Sequence, residues 1–337
     1  MYLELIDEEL KDIYTNYNKP FYVYISLTNY CNANCVFCDV RQNECKKNNT
    51  DVKKLIDELA ELGVKYIHFT GGGEPFVNDD IFEYLEYCTK KNIKINVITN
   101  GLNLNEDKIK MLSKFNMCNI FFSIDSHNKK IHNELRRTEK LWEKATDNIN
   151  LIKKYMPNVK IILNHVLNRK NIDDFDKFIN MKKNVNFDYI NPIIIKDCEF
   201  LFPTEVQIEN YNKNLKNYQD LAIQNNIKFL CKNINFFNSE INTNGDRKEK
   251  INLKCVVPNY CAFIDCPTGN VYPCDCSIHR DRELYNIGNL ANQTFKEIWN
   301  GEKKKKLSKL LLEGKLNCKL KCDECNCLFS EKYFESR

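Results

Sequence analysis

Residues 51–75 read DVKKLIDELAELGVKYIHFTGGGEP. In DVKKLIDELAEL (51–62) the apolar residues recur at helical spacing, and VKYIHF (64–69) is rich in β-formers and reads as a strand. The same alternation continues on both sides. FYVYISL (21–27) reads as a strand; DDIFEYLEYCTKK is a helix and IKINVI a strand. NEDKIKMLSKF, LWEKATDNINLIKKY and NIDDFDKFINMKK are helices, followed by the strands CNIFFSI, VKIILNHVL and FDYINPIII. Repeated strand–helix units imply a parallel sheet with helices packed outside it. About six units are too few for the closed eight-fold barrel, so the expected fold is α/β, a partial (β/α)6 barrel. An open doubly wound sheet is the competitor. Residues 204–225 read as one more amphipathic helix.

The chain has 337 residues, 43% hydrophobic and 28% charged, as expected of a folded globule. A formal charge of +4 implies no nucleic-acid partner. The densest basic run, Lys303 to Lys306, lies in a helical pattern and reads as a solvated helix face. No apolar run has the roughly 18 residues of a membrane span, and the acidic start MYLELIDEEL lacks a secretory apolar core. A cytoplasmic location is therefore expected. In that reducing compartment 17 cysteines are better explained by metal or cluster ligation than by disulfides. They are clustered: Cys31, Cys35 and Cys38, then five from Cys255 to Cys276, then four from Cys318 to Cys327. Cys45, Cys88, Cys118, Cys198 and Cys231 stand alone and read as small buried or incidental residues. Residues 1–19 read as a lead-in helix, 20–237 as the barrel, and the polar tract NSEINTNGDRKEK (238–250) as a loop or linker. A small, loop-rich, Cys-rich C-terminal domain follows over 250–337, and its apolar content looks too thin without cross-links or metal.

In parallel βα folds, function gathers in the loops after the strands. The first such loop carries the three cysteines, a set that lacks the fourth ligand of a tetrahedral zinc site nearby. The second is TGGGEP (70–75), the third TNG (99–101), the fourth SID (123–125), and the fifth strand carries Asn164 and His165. Singly, each has a plain structural explanation: a tight glycine turn, an ordinary turn, or a helix cap at Ser123 or Asp125. Together, on one rim, they suit one shared ligand. The glycines let backbone approach it closely. Glu74 offers a carboxylate to a cationic group; Asn100, Ser123 and Asp125 offer hydrogen bonds to hydroxyls or an amine. Arg136 or Arg137 can pair with a carboxylate. An amino-acid nucleoside fits that set.

With those residues in place, the sequence resembles the radical S-adenosylmethionine enzymes. The resemblance rests on the CxxxCxxC spacing of Cys31, Cys35 and Cys38, on Phe37 before the last cysteine, on GGEP at Gly72 to Pro75, and on SID at Ser123 to Asp125. It implies that the three cysteines hold three irons of a [4Fe–4S] cluster, whose fourth iron binds the amino and carboxylate groups of S-adenosylmethionine. It assigns Gly72, Gly73 and Glu74 to the methionine amino group, and places Ser123 and Asp125 near the methionine and ribose. Arg136 is the carboxylate partner, with Arg137 competing. Asn100 and Asn164 complete the expected set.

The C-terminal run from Cys255 through Gly269 and Cys274, then NIGNL and CKLKCDECNC, resembles the SPASM/twitch extension of that family, which binds one or two auxiliary [4Fe–4S] clusters. Cys255, Cys274, Cys322 and Cys325 are the first assignment, with Cys261, Cys318 and Cys327 as alternates; a zinc knuckle at Cys322 and Cys325 is the competing explanation. Asp275, in VYPCD, resembles the aspartate of anaerobic sulfatase maturases and is either a general base or a turn cap. The resemblance implies reductive cleavage of S-adenosylmethionine, hydrogen abstraction and a net oxidation, dehydrogenation or epimerisation, with an electron donor such as flavodoxin or ferredoxin. With only 30 residues before Cys31, the expected substrate is a carbohydrate or other small molecule. The alternatives are modification of a ribosomal peptide or protein and, in another class, a non-enzymatic iron–sulfur or zinc electron carrier.

Overall fold

The computed structural model of the chain describes residues 19–38, 50–195, 198–229, 257–275, 277 and 282–313. The strand–helix succession follows the hydrophobic period closely. It runs β1 (Tyr22–Ser26), α1 (Val52–Glu61), β2 (Tyr66–Thr70), α2 (Ile81–Lys90), β3 (Lys94–Thr99), α3 (Glu106–Leu112) and β4 (Met117–Ser123). It continues with α4 (Lys129–Arg136), α5 (Leu141–Tyr155), β5 (Lys160–Leu167), α6 (Phe175–Asn180), β6 (Tyr189–Ile194), α7 (Glu205–Gln224) and β7 (Lys228–Phe229). All six expected strands are present. The C-terminal part adds β8 (Cys261–Asp265), β9 (Asn270–Tyr272), α8 (Arg282–Tyr285), β10 (Gly288–Asn289), α9 (Phe295–Asn300) and α10 (Glu302–Leu312).

The ten strands form one sheet in the order β10-β9-β8-β1-β2-β3-β4-β5-β6-β7. From β1 to β7 every neighbour is parallel and consecutive. A doubly wound sheet would reverse its strand order midway, so that competitor is excluded. The sheet curves without closing. Its concave face brings His68 of β2 and Phe121 of β4 together, ring centroids 4.9 Å apart, although β3 lies between their strands. A small interior cluster of Phe121, Ile162 and Tyr189 with Ile98 sits on that face. The convex face packs against the helices through Val23, Ile67, Val97 and Leu163 with helix residues such as Leu55, Leu85 and Ile152. Some helix starts carry side-chain caps; Asp51 accepts from the Lys54 N–H at 3.0 Å, and Thr204 with Gln207 forms a capping box.

The C-terminal strands extend the barrel sheet. β8 pairs in parallel with β1, Tyr22 opposite Cys261 and Ser26 opposite Asp265. Phe295 at the start of α9 donates its N–H to Glu58 of α1 at 2.6 Å. Phe295, Ile298, Trp299, Leu307 and Leu311 are buried in the same apolar core as the barrel. The described part of this region is thus held by non-local packing, more than its local apolar content suggested. Of the Lys303 to Lys306 run, Lys304 turns inward: it is 4% exposed and its ammonium lies 4.1 Å from the Trp299 ring centroid. Burial lowers its pKa to about 8. The expected lead-in helix, apart from residue 19, and the linker at 238–250 fall outside the described residues.

Candidate active site

The loop after β1 is held by other parts of the chain. The Asn34 N–H donates to the Arg136 carbonyl at 3.2 Å and the Val36 N–H to the Leu135 carbonyl at 2.9 Å. These are carbonyls of the last turn of α4, which otherwise lack helical partners. A turn from Cys35 to Cys38 (3.3 Å) shapes the loop end. The thiols of Cys31, Cys35 and Cys38 are all free, exposed or half-buried. Burial raises the Cys35 pKa, and Arg136 opposes that rise.

The glycine loop after β2 is shaped by the cysteine loop. A Cβ at Gly73 would lie 2.0 Å from the Tyr30 carbonyl oxygen, and one at Gly71 would lie 2.1 Å from the Gly73 oxygen. The Glu74 N–H donates to that same Tyr30 carbonyl at 2.9 Å, and the Gly72 N–H to Ser26 Oγ at 3.1 Å. The buried Glu74 carboxylate accepts from Thr99 Oγ1 at 2.6 Å, the Phe76 N–H at 3.2 Å and the Asn100 N–H at 2.7 Å. It therefore ties β2 to the end of β3. Burial raises its pKa against those hydrogen bonds. We expect Gly73→Ala to force the two loops apart, costing roughly 1–3 kcal/mol as overpacking does. Urea unfolding measures this, and an unchanged midpoint would show that the contact is dispensable.

Asn100 donates to Asn32 Oδ1 at 2.8 Å and approaches Cys31 Sγ at 3.9 Å; Asn32 in turn donates to Asn103 at 3.0 Å. Sequence reading did not identify Asn32 or Asn103. Asp125 is fully buried and does not cap a helix; the α4 cap is Asn128. Its Oδ2 accepts from Arg136 Nε at 2.7 Å and its Oδ1 from the Val166 N–H at 3.1 Å. Burial opposes ionisation, but the Arg136 guanidinium, with His132 and His165 nearby, holds the Asp125 pKa below its ordinary value. Arg136, 7% exposed, also reaches Cys35 Sγ at 3.7 Å, and its Cζ lies 5.8 Å from the Phe37 ring centroid. Arg137 is exposed with φ +46°, whereas the Arg136 guanidinium is buried and paired with Asp125. Ser123, half-buried, stands opposite Asn164 in the sheet, and Asn164 accepts from Asn191 at 2.8 Å.

Below the rim the concave face is polar and aromatic. Asn119 donates to Asn96 at 2.8 Å and Asn96 to the Tyr22 hydroxyl at 3.2 Å; Tyr22 bonds His68 Nδ1. Burial lowers the His68 pKa to about 3, so the ring is neutral. β9 runs antiparallel to β8. It carries the chain away from the cysteine rim, so Cys274 and Asp275 follow at the other end of the sheet, roughly 15 Å along the strands. Cys274 and Asp275 are half-buried, and Cys261 is buried in β8. Cys255, Cys318, Cys322, Cys325 and Cys327 lie outside the described residues.

Among the described residues no three His, Cys, Asp or Glu side chains converge on a single-ion site. Three free thiols on one rigid loop instead suit a cluster, in which each thiolate takes its own iron. The residues present fit that group. Residues 25–181 match the radical SAM superfamily and residues 255–326 an iron–sulfur cluster-binding domain. The chain belongs to the radical S-adenosylmethionine superfamily and is an enzyme of the SPASM-containing kind. Its cofactors are iron–sulfur clusters and S-adenosylmethionine. It is 25% identical over 316 residues to an AdoMet-dependent heme synthase of Methanosarcina barkeri, covering 86% of this chain and 85% of that protein. It is 26% identical over 323 residues to a cysteine-type anaerobic sulfatase-maturating enzyme of Clostridium novyi, covering 88% and 82%. Streptococcus suis SuiB bound to S-adenosylmethionine shares the fold, with TM-score 0.66 at 16% identity over 91% of this chain and 72% of that one. No helix among the described residues is long and apolar enough to cross a membrane.

Proposed function

We propose that this chain oxidises an uncharged side chain of a peptide or protein, using S-adenosylmethionine as the oxidant. The observation that carries this reading is the placement of Cys31, Cys35 and Cys38 at one end of β1 and of Cys274 and Asp275 toward the other. Between them lies a concave face whose middle is aromatic and amide, with Tyr24, His68, Phe121, Asn164 and Tyr189, and whose far end carries Lys94 against Tyr66. When bound, the cluster at the rim with S-adenosylmethionine supplies a 5′-deoxyadenosyl radical, and an auxiliary cluster supplies an electron sink.

The residues of the chain do the rest. Cys31, Cys35 and Cys38 hold the rim cluster; Gly72, Gly73 and Glu74 shape the loop for the methionine amino group. Asn100, Ser123, Asp125 and Asn164 line the nucleoside side, and Phe37 shields the loop. Cys255, Cys274, Cys322 and Cys325, with Cys261, Cys318 and Cys327 as alternates, hold auxiliary iron. Asp275 takes the second hydrogen as a proton, while its electron would go to the auxiliary cluster. The aromatic and amide lining of the middle of the face supports an uncharged group entering it, since an unpaired charge there would be costly. The activity named for the Clostridium novyi relative supports a peptide over a carbohydrate. Flavodoxin or ferredoxin as electron donor and a cytoplasmic location belong to the same reading.

The test is a peptide with a single cysteine deuterated at its side-chain carbon, given to the anaerobically reconstituted enzyme. Deuterium should enter 5′-deoxyadenosine, and the labelled peptide should lose the mass of one deuterium and one hydrogen, before any hydrolysis of the oxidised side chain. If 5′-deoxyadenosine forms without deuterium and the peptide is unchanged, the peptide reading fails and a small-molecule substrate takes its place.

A further inference from the structure

We infer that the Asp125–Arg136 ion pair sets the reduction potential of the cluster on the cysteine loop, acting through Cys35. The inference rests on the reading that Cys31, Cys35 and Cys38 hold that cluster. Arg136 makes two directed contacts: Nε to Asp125 Oδ2 at 2.7 Å and Nη1 to Cys35 Sγ at 3.7 Å. Its guanidinium thus already has a carboxylate partner. Asp125 is itself fixed by the Val166 N–H at 3.1 Å, while Asn171 holds the Asp125 carbonyl at 2.6 Å. The cation is therefore aimed at one particular sulfur.

The surroundings strengthen the effect. Leu135, Ile195, Cys198 and Leu201 form a buried apolar cluster with Val36 and Phe37 beside this contact. On that side of the contact, with Arg136 itself buried, the charge acts through a lower dielectric than bulk water. Hydrogen bonds to cluster sulfurs and nearby net charge are among the factors that set iron–sulfur potentials. Reduction adds one negative charge to the cluster. The Arg136 cation and its N–H donor stabilise that charge and raise the potential; the Asp125 anion, one bond further away, offsets part of the gain. Arg136 and Asp125 are in this sense positioning residues with opposite signs.

The sign gives the test. The full chain is reconstituted anaerobically and titrated without S-adenosylmethionine, with the reduced clusters followed by electron paramagnetic resonance. The rim signal is the one missing from the Cys31→Ala, Cys35→Ala, Cys38→Ala chain. Arg136→Gln should lower the reduced-to-oxidised ratio at a fixed solution potential about tenfold, which is about 59 mV for one electron. Asp125→Asn should raise it, and Arg136→Lys, which keeps the charge, should restore most of the wild-type value. A pair that only stabilises the fold would weaken unfolding resistance in both variants and leave the potential where it is. Wild-type potentials in Asp125→Asn and in whichever arginine variants load the cluster, or shifts of the same sign, overturn the inference. A chain whose iron signals are untouched by the triple cysteine substitution overturns the underlying assignment instead.

Discussion

Replacing Cys31, Cys35 and Cys38 together by alanine will abolish release of 5′-deoxyadenosine from S-adenosylmethionine and leave the auxiliary iron bound. The fold should survive, because the loop is fixed by backbone contacts. Asn34 and Val36 hang on the α4 carbonyls, and Glu74 binds the Tyr30 carbonyl. None of these contacts uses a thiol. What is lost is the set of thiolates, the usual ligands of such clusters. Iron analysis and chromatography of the reaction mixture check this. Cleavage that persists in the triple variant would move the reactive cluster elsewhere, and loss of all the iron would show that the C-terminal cysteines hold none.

The second large effect is on acid stability. His68, His132 and His165 are all fully buried. Burial lowers their pKa values to about 3, about 3 and about 4. An unfolded histidine titrates near 6.5. Between those values the unfolded chain binds more protons than the folded one, so stability falls as the pH falls. The contribution is complete above about pH 6.5 and is lost as the pH drops toward the folded values. Each histidine then costs about 1.4 kcal/mol per pH unit, so the three together cost about 4 kcal/mol per unit. A typical margin of 5–15 kcal/mol would be spent within a few pH units. Urea unfolding of the full chain at pH 7, 6 and 5, held anaerobically, should show the steep fall. Equal stabilities at pH 7 and 5 would mean that these rings carry charge in the folded state.

The barrel was legible because its strands and most of its helices carry their own period. The strands expected at 64–69 and 118–124 differ from β2 and β4 by a residue or two. Helix α4 was not legible. Its buried side chains include His132 and Arg136, so its inner face does not read as apolar; only Asn128, an N-cap ahead of KKIHNELR, marks it. That helix aims Arg136 and holds the cysteine loop, so Arg136 was legible as a residue while its placement against Cys35 and Asp125 was not. The glycines were read as room for a ligand. At Gly73 the crowding comes from the Tyr30 backbone, a contact between loops more than 40 residues apart in sequence. The C-terminal sheet was invisible for a similar reason. β8 and β9 are short, and β8 joins the barrel sheet by pairing with β1 at the far end of the chain.

The most direct measurement is the release of 5′-deoxyadenosine by the reconstituted full chain under strict anaerobiosis, with S-adenosylmethionine and dithionite. A radical S-adenosylmethionine enzyme releases it only when cluster, reductant and S-adenosylmethionine are all present. A chain loaded with iron and sulfide that reduces its cluster yet leaves S-adenosylmethionine intact would contradict that assignment.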